Sequence, residues 1–296
     1  MLEEFKNAFN RPNNSHVQLI IINVAVFLVL GILFVFSKVL SADAFFSLIH
    51  NQFSIPPKFV DFIIRPWTII TYAFMHDLYS LLHILFNMLA LYWFGKLFVE
   101  YLGSDKLIAV YFLGALAAGI CYLLVFNTIP FFKNQSTFAG MVGASGAIYA
   151  IMVAAATLTP NYTFFLLFLG PVKIKYIAAF YIVLSFLGTV QSNAGGNIAH
   201  LGGALIGFVY IKQLQVGINW GGWVTATLTW FSELFSSRPK VKVSYRNKDG
   251  SPDKKATPAA RVSQQEIDDI LDKISDGGYE SLSKEEREKL FKASKK

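Results

Sequence analysis

Charged residues are scarce in this 296-residue sequence, because they make up only 15% of the chain whereas hydrophobic residues make up 54%. The mean hydropathy of +0.47 lies above the range of ordinary soluble domains. Cysteine is nearly absent as well: Cys121 is the only one, so no intramolecular disulfide can form. The composition therefore excludes an ordinary soluble domain and a disulfide framework, and it indicates a membrane protein.

The sequence contains several long runs of apolar residues. A membrane-spanning helix needs about 20 predominantly apolar residues. The apolar run at residues 164–169 blurs the boundary between the fourth and fifth runs, so five or seven spans are alternatives to six. We predict an all-α membrane protein with a six-transmembrane-helix bundle. Its six spans are expected at 17–37, 79–99, 107–127, 138–158, 172–190 and 197–216.

The distribution of Lys and Arg over the connections predicts the orientation of the spans, because cytoplasmic connections are enriched in these residues. The bias favours both termini in the cytoplasm. We expect the net charge of +7 to reflect this topology and attraction to membrane lipids, and not binding to nucleic acid. The predicted cytoplasmic side receives Lys6, Arg11, Lys96, Lys106, Lys173, Lys175 and Lys212, and the outer side receives Lys38, Lys58, Arg65 and Lys133.

Composition also divides the chain into parts. The first span follows about 16 polar residues and lacks a small-residue cleavage site, so we expect it to stay in the mature protein. The connection at 38–77 is apolar enough to lie in the outer interface, with Arg65 and Trp67 as anchors. The predicted parts are an N-terminal cytoplasmic segment (1–16), the six-helix core (17–217), a tryptophan-bearing interfacial segment (218–237), a linker (238–260) and a cytosolic helical hairpin (261–296).

The hairpin prediction depends on two capping boxes, in which a serine is followed three residues later by glutamate. Ser263 with Glu266 marks one helix start, and Ser283 with Glu286 marks the other. A partly disordered tail is the alternative. The sequence does not identify a partner for this hairpin.

Only a few ionisable or amide side chains fall inside the predicted spans. Because a polar group in lipid is costly unless it is paired, such residues are candidates for function. His83 and Asn87 lie in span two, Ser145 in span four and His200 in span six. All even-numbered spans run inward from the outer face. With Ser145 about two turns into its span, these residues are expected in one layer, roughly 5 to 12 Å below the outer helix ends.

These residue types suit nucleophilic catalysis. A serine hydroxyl such as that of Ser145 needs a base, and the neutral imidazole of His200 can accept its proton and return it to a leaving amine. His83 and Asn87 are four residues apart and share a helical face, so with the Ser145 N–H they can stabilise an oxyanion. No Asp or Glu occurs at residues 107–231, so a carboxylate triad would need an acid from an outer connection, such as Asp77, and a dyad is favoured. Tyr149, one turn after Ser145, is placed to stack on His200.

Glycines accompany both proposed catalytic residues. Gly143 and Gly146 flank Ser145 and allow a substrate backbone to approach closely. Gly203 and Gly207 follow His200 at the spacing that lets span six pack closely against span four.

Three segments resemble the signatures of the rhomboid intramembrane serine proteases, in order and in separate spans. They are "HILFN" at 83–87, "GASGAIYA" at 143–150 and "AHLGGALIG" at 199–207. The resemblance covers roughly residues 60–215. It implies a serine endopeptidase without cofactor or metal, and a membrane-spanning helix as substrate. It also implies Ser145 as nucleophile, His200 as base, and His83 and Asn87 at the oxyanion hole.

The resemblance further suggests a bacterial member, in which the hairpin is an accessory element. We therefore expect a protein of the bacterial inner membrane whose active site opens to the outer face. A rhomboid-like protein that binds membrane helices without cutting them is one alternative, and a small transporter is a second. Metal binding is not expected, because His83 and His200 lack a third ligand. His16, His50 and His76 are interpreted as surface or interfacial residues.

Overall fold

The computed structural model describes residue 8 and residues 11–133, 140–167, 169–234 and 264–294. The chain forms two compact units, Met1–Ser237 and Arg238–Lys296. The predicted linker at 238–260 and the capping residue Ser263 lie outside the described residues.

Helices make up nearly all regular structure of the first unit, which confirms the predicted all-α class. Among the helices that the structure describes, four are long and apolar enough to cross a membrane, namely α1, α5, α6 and α10. The helices are α1 (Ser15–Val39), α2 (Asp43–Phe53), α3 (Phe59–Ile63), α4 (Thr68–Thr71), α5 (Leu81–Leu102), α6 (Ser104–Thr128), α7 (Pro130–Lys133), α8 (Ser145–Leu158), α9 (Ile174–Gly188), α10 (Ala194–Gln215) and α11 (Gly222–Leu234), with a 3₁₀ turn at Tyr72–Phe74.

The fourth predicted span is shorter than expected. The prediction placed a helix over 138–158, but α8 begins at Ser145 and has 14 residues, or about 21 Å of helix. Residues 140–144 are not helical, and 134–139 lie outside the described part of the chain. Met141 instead pairs with Ile55, each backbone N–H donating to the other's carbonyl at 2.9 and 3.1 Å. The chain therefore reaches Ser145 through an extended segment.

The fifth predicted span, 172–190, is also shorter, because α9 has 15 residues. The apolar run that blurred its start forms an antiparallel hairpin of β1 (Thr163–Leu166) and β2 (Gly170–Lys173). Phe164 packs edge-on against Phe94 of α5, with ring centroids 5.5 Å apart. Strand pairing thus accounts for the apolar run that blurred the boundary between the fourth and fifth predicted spans.

Side chains of the connection at 38–77 fasten the C-terminal end of α2. The last carbonyls of a helix lack intrahelical partners. Arg65 Nη1 donates to the carbonyl of Asn51 at 2.6 Å, and Trp67 Nε1 donates to that of Gln52 at 2.7 Å. Arg65 and Trp67 therefore anchor this connection through the backbone of α2.

The centre of the bundle is α8, ten of whose 14 residues are buried. Its closest neighbour is α10, and the contact depends on glycine. A Cβ at Gly203 would collide with the carbonyl oxygen of Gly146, and a Cβ at Gly207 would collide with that of Ala150. The two backbones therefore touch without intervening side chains, which is the packing mode of small residues in membrane helices.

The second unit contains α12 (Gln264–Gly277), a 3₁₀ turn at Tyr279–Ser281 and α13 (Lys284–Ser294). Both hydrogen bonds of the predicted capping box at Ser283 are present. Ser283 N–H donates to Glu286 Oε2 at 2.7 Å, and Glu286 N–H donates to Ser283 Oγ at 3.3 Å. The Ser283 N–H bond, together with Lys273, lowers the pKa of Glu286 to about 2. Glu286 is therefore ionised at neutral pH, and only strong acid weakens the bond that its carboxylate accepts from the Ser283 N–H.

We predict that Gly207→Ala destabilises the bundle by about 1 to 3 kcal/mol, because its methyl group overpacks the contact with α8. Thermal unfolding in detergent measures the effect. Gly31→Ala is the matched control, since no atom lies within 4 Å of a Cβ there, and it should unfold at or slightly above the wild-type temperature. Equal melting temperatures for the two variants would contradict the proposed role of the contact.

Candidate active site

Ser145 occupies the first position of α8, not a position two turns into a helix as predicted. Gly143 has a φ of 137°, which L side chains rarely adopt, and its N–H donates to the carbonyl of Tyr72 at 3.0 Å. The first N–H groups of a helix have no intrahelical acceptor, and the helix dipole makes this end positive. The Ser145 N–H is therefore available to a negatively charged group, whereas in mid-helix it would be bonded internally.

The structure brings Ser145 and His200 together from α8 and α10. Ser145 Oγ lies 2.7 Å from His200 Nε2, which is hydrogen-bond distance. The ring of Tyr149 stacks on the imidazole, with centroids 4.1 Å apart and planes inclined by 7°. Both side chains are half-buried. Stacking fixes the plane of the imidazole, and the hydrogen bond fixes its rotation within that plane.

His83 and Asn87 lie on the side of Ser145 formed by α5. A Cβ at Gly143 would lie 3.4 Å from His83 Nε2 and 3.5 Å from Ser145 Oγ, so these two side chains flank Gly143. Asn87 Nδ2 donates to the carbonyl of His83 at 2.9 Å. An amide nitrogen carries two hydrogens. Asn87 therefore keeps a second N–H for a ligand.

His76 packs against His83, and its position differs from the one predicted from the sequence. Only 1% of its surface is exposed, and its ring packs edge-on against His83 with centroids 5.4 Å apart. Burial, and to a lesser degree the neighbouring His83, lowers the pKa of His76 to about 4. His76 is thus neutral at physiological pH. His16 is buried as well, so neither residue lies at the protein surface, which was one of the two positions that the sequence suggested.

A cavity of about 390 Å³ contains the candidate site and is lined by Ser145, His200, His83, Asn87 and Tyr149, among others. A second cavity, of about 610 Å³, shares His83 and Val142 with it and is lined by polar groups that include Asp77 and Ser80. A third cavity, of about 740 Å³, lies beside α1 and is almost entirely apolar. The serine–histidine pair therefore lies in a cavity that adjoins a second, polar cavity.

Ser185 of α9 is the residue that sequence reasoning missed. Its side chain is 1% exposed, and its Oγ lies 3.1 Å from His200 Nδ1 and 2.9 Å from Tyr149 Oη. The signal available in the sequence was weak, because a serine in an apolar span usually bonds its own helix backbone.

Within the described ranges, no three His, Cys, Asp or Glu side chains converge as metal ligands.

The fold and the site define a class of protein: a helical membrane bundle that encloses a hydrogen-bonded serine–histidine pair beside amide and imidazole donors. The family model described as Rhomboid domain matches residues 65–215, and the chain belongs to the rhomboid family. A second model, described as a family of unknown function (DUF6576), matches residues 254–296. The comparisons thus assign the membrane bundle and the C-terminal helices to separate families.

Individual relatives match parts of the chain. RHOMBOID-like protein 12, mitochondrial, of Arabidopsis thaliana is 33% identical over 163 residues, which are 52% of this chain and 48% of that protein. Rhomboid protein 1, mitochondrial, of Saccharomyces cerevisiae is 30% identical over 159 residues, or 51% and 42% of the two chains. Rhomboid protease GlpG of Klebsiella pneumoniae (strain 342) is 34% identical over 86 residues, or 29% and 26%. The chain spans less than half the length of these relatives.

We predict that a fluorophosphonate probe labels the wild-type protein at Ser145, because a serine that can pass its proton to histidine is a reactive nucleophile. Ser145→Ala should not be labelled. His200→Ala should react at least about 100-fold more slowly, since a positioned base contributes 10²- to 10⁴-fold. Intact-mass and peptide analysis measures both; a label on another serine would contradict the assignment.

Proposed function

We propose that this chain is an intramembrane serine endopeptidase that cleaves transmembrane segments of membrane proteins with a Ser145–His200 dyad. The observation that carries the proposal is the 2.7 Å hydrogen bond between Ser145 Oγ and His200 Nε2 inside a cavity with oxyanion donors. Membership of the rhomboid family supports it, as does the similarity to a relative named a rhomboid protease. A helix-binding protein or a transporter has no need of this hydrogen bond.

In the proposed reaction, Ser145 Oγ attacks the scissile carbonyl carbon while His200 Nε2 takes the hydroxyl proton. The carbonyl oxygen becomes an oxyanion, which accepts hydrogen bonds from the Ser145 N–H, Asn87 Nδ2 and His83. His200 then gives its proton to the departing amine, and an ester with Ser145 remains. Water, deprotonated by His200, attacks the ester, and the carboxyl product leaves as Ser145 regains its proton.

The proposed substrate is a membrane helix that unwinds locally. A peptide bond inside a helix is screened by its own hydrogen bonds, so it must become extended before Ser145 can attack it. Residues such as Gly or Pro near the cut should help, because they lower the cost of breaking the helix. The helix start at Ser145 and the absence of a side chain at Gly143 leave backbone space for such a segment.

Orientation and location follow as further parts of the proposal. The Lys and Arg distribution supports cytoplasmic termini and an active site that opens to the outer face. We propose a bacterial inner membrane, although two of the relatives described above carry mitochondrial names. Membrane lipids surround the bundle, and the partner of the C-terminal helices is not part of the proposal.

Cleavage of a single-span substrate in proteoliposomes tests the proposal. Ser145→Ala and His200→Ala should each reduce turnover to background, and the double variant should be no worse than either, because the two residues act as one unit. Partial losses that add up in the double variant would contradict the dyad. Mass spectrometry of the products should place the cut in the outer quarter of the substrate span, whereas a cut at its cytoplasmic end would reject the proposed orientation.

Asn87→Ala should lower kcat by about 10- to 100-fold. Losing one oxyanion donor costs roughly 100- to 1000-fold in other hydrolases, and here His83 and the Ser145 N–H share the load. Asn23→Ala is a control on α1, because Asn23 Nδ2 also bonds the carbonyl four residues earlier, at 2.8 Å, while its other hydrogen bond goes to Tyr111 Oη at 3.2 Å and not to the candidate site. It should leave kcat unchanged. Equal effects of both variants on kcat would assign Asn87 to packing.

A further inference from the structure

A chain of hydroxyl groups leads from the imidazole of His200 to the backbone of α9. His200 Nδ1 lies 3.1 Å from Ser185 Oγ, and Ser185 Oγ lies 2.9 Å from Tyr149 Oη. Tyr149 Oη donates to the carbonyl of Tyr181 at 3.4 Å. We propose that Ser185 is a positioning residue that holds His200 in the tautomer with its proton on Nδ1. This inference rests on the proposed function, and it adds a residue from a third helix to the site.

The donor and acceptor of each hydrogen bond in this series follow from the number of protons available. The Tyr181 carbonyl can only accept, so the 3.4 Å hydrogen bond at this end requires the single proton of Tyr149 to point towards Tyr181. Tyr149 Oη then accepts the proton of Ser185, and Ser185 Oγ in turn accepts from His200 Nδ1–H. His200 Nε2 is left with a lone pair facing Ser145 Oγ at 2.7 Å. This is the tautomer that can act as a base towards Ser145.

The opposite direction would leave the site inactive. If Tyr149 donated to Ser185 and Ser185 donated to Nδ1, the histidine proton would sit on Nε2 and point at Ser145. Nε2 would then have no lone pair to accept the serine proton. The Tyr181 carbonyl is the acceptor that favours the productive direction, so a backbone group of α9 selects the state of a side chain on α10.

Burial supports a specific role for Ser185. Four residues of α9 are buried, and Ser185 is the one with a polar side chain. Buried hydroxyls nearly always have hydrogen-bond partners, and Ser185 finds them on α8 and α10. Because no Asp or Glu occurs at 107–231, the task of orienting the imidazole, which a carboxylate performs in a triad, falls to a neutral hydroxyl.

The test measures the tautomer directly. In full-length protein labelled with ¹⁵N-histidine, the spectrum of His200→Ala identifies the His200 signals. Wild type should show a protonated Nδ1 and an unprotonated Nε2. Ser185→Ala should give a mixture of both tautomers. Tyr149→Phe, which keeps the stacked ring, should shift His200 further towards protonated Nε2, because Ser185 is then free to donate to Nδ1. A protonated His200 Nε2 in the wild type would overturn the inference. A wild-type tautomer in both Ser185→Ala and Tyr149→Phe would overturn it as well.

Kinetics provides a second readout. Ser185→Ala should lower kcat about 10-fold with KM within about twofold; tenfold corresponds to about 1.4 kcal/mol, the size of one net hydrogen bond. Ser185→Thr keeps the hydroxyl and should restore most of kcat and the wild-type tautomer. Ser37→Ala is the matched control, because Ser37 is also buried in a span but bonds only its own helix, at 2.8 Å to the Phe34 carbonyl.

The two readouts separate this inference from the proposed function. If wild-type protein cleaves no substrate but shows the tautomer change in Ser185→Ala, the proposed function fails and the positioning role stands. If cleavage occurs and Ser185→Ala retains wild-type kcat and tautomer at an unchanged melting temperature, the positioning role fails and the dyad stands. A loss of kcat in Ser37→Ala equal to that in Ser185→Ala would also reject the positioning role.

Discussion

The direct contact between the backbones of α8 and α10 is the constraint on which the candidate site depends. Gly203 lies one turn after His200, and Gly146 directly follows Ser145, so their contact fixes the distance between the two helices where it matters. A side chain at Gly203 would collide with the carbonyl oxygen of Gly146, so the two helices would have to separate beside Ser145 and His200. The backbone atoms that pack α8 against α10 therefore also set the distance between Ser145 and His200.

A second requirement is that α8 begins at Ser145. The extended segment before it is held by the pairing of Met141 with Ile55 and by the hydrogen bond from Gly143 to Tyr72, where Ile55 and Tyr72 belong to the connection at 38–77. Arg65 and Trp67 fasten that connection in turn. Residues far from the serine thus keep its backbone N–H free, because they prevent the helix from starting earlier.

The sequence allowed the all-α class and the meeting of Ser145 with His200 to be predicted, since polar residues in apolar spans are rare and few arrangements satisfy them. Hydropathy could not predict the start of α8, because residues 140–144 are as apolar as a helix and their extended form depends on tertiary hydrogen bonds. It missed Ser185 for a related reason: one serine in an apolar span gives no sign of its partners. His76 was misplaced because burial of a neutral imidazole leaves no trace in local composition.

The two units of the chain are stabilised by different kinds of force. The second unit has few buried apolar side chains, among them Ile270 and Leu282, and its surface carries ion pairs of Lys273 with Glu286 and of Arg287 with Glu280. Such pairs are weakened by salt, since the screening length is about 8 Å at physiological ionic strength. The van der Waals contact between the backbones of α8 and α10 is not weakened by salt. Ionic strength therefore weakens the ion pairs of the C-terminal helices by a small amount, because exposed pairs contribute little to stability, and it does not act on the backbone contact within the membrane bundle.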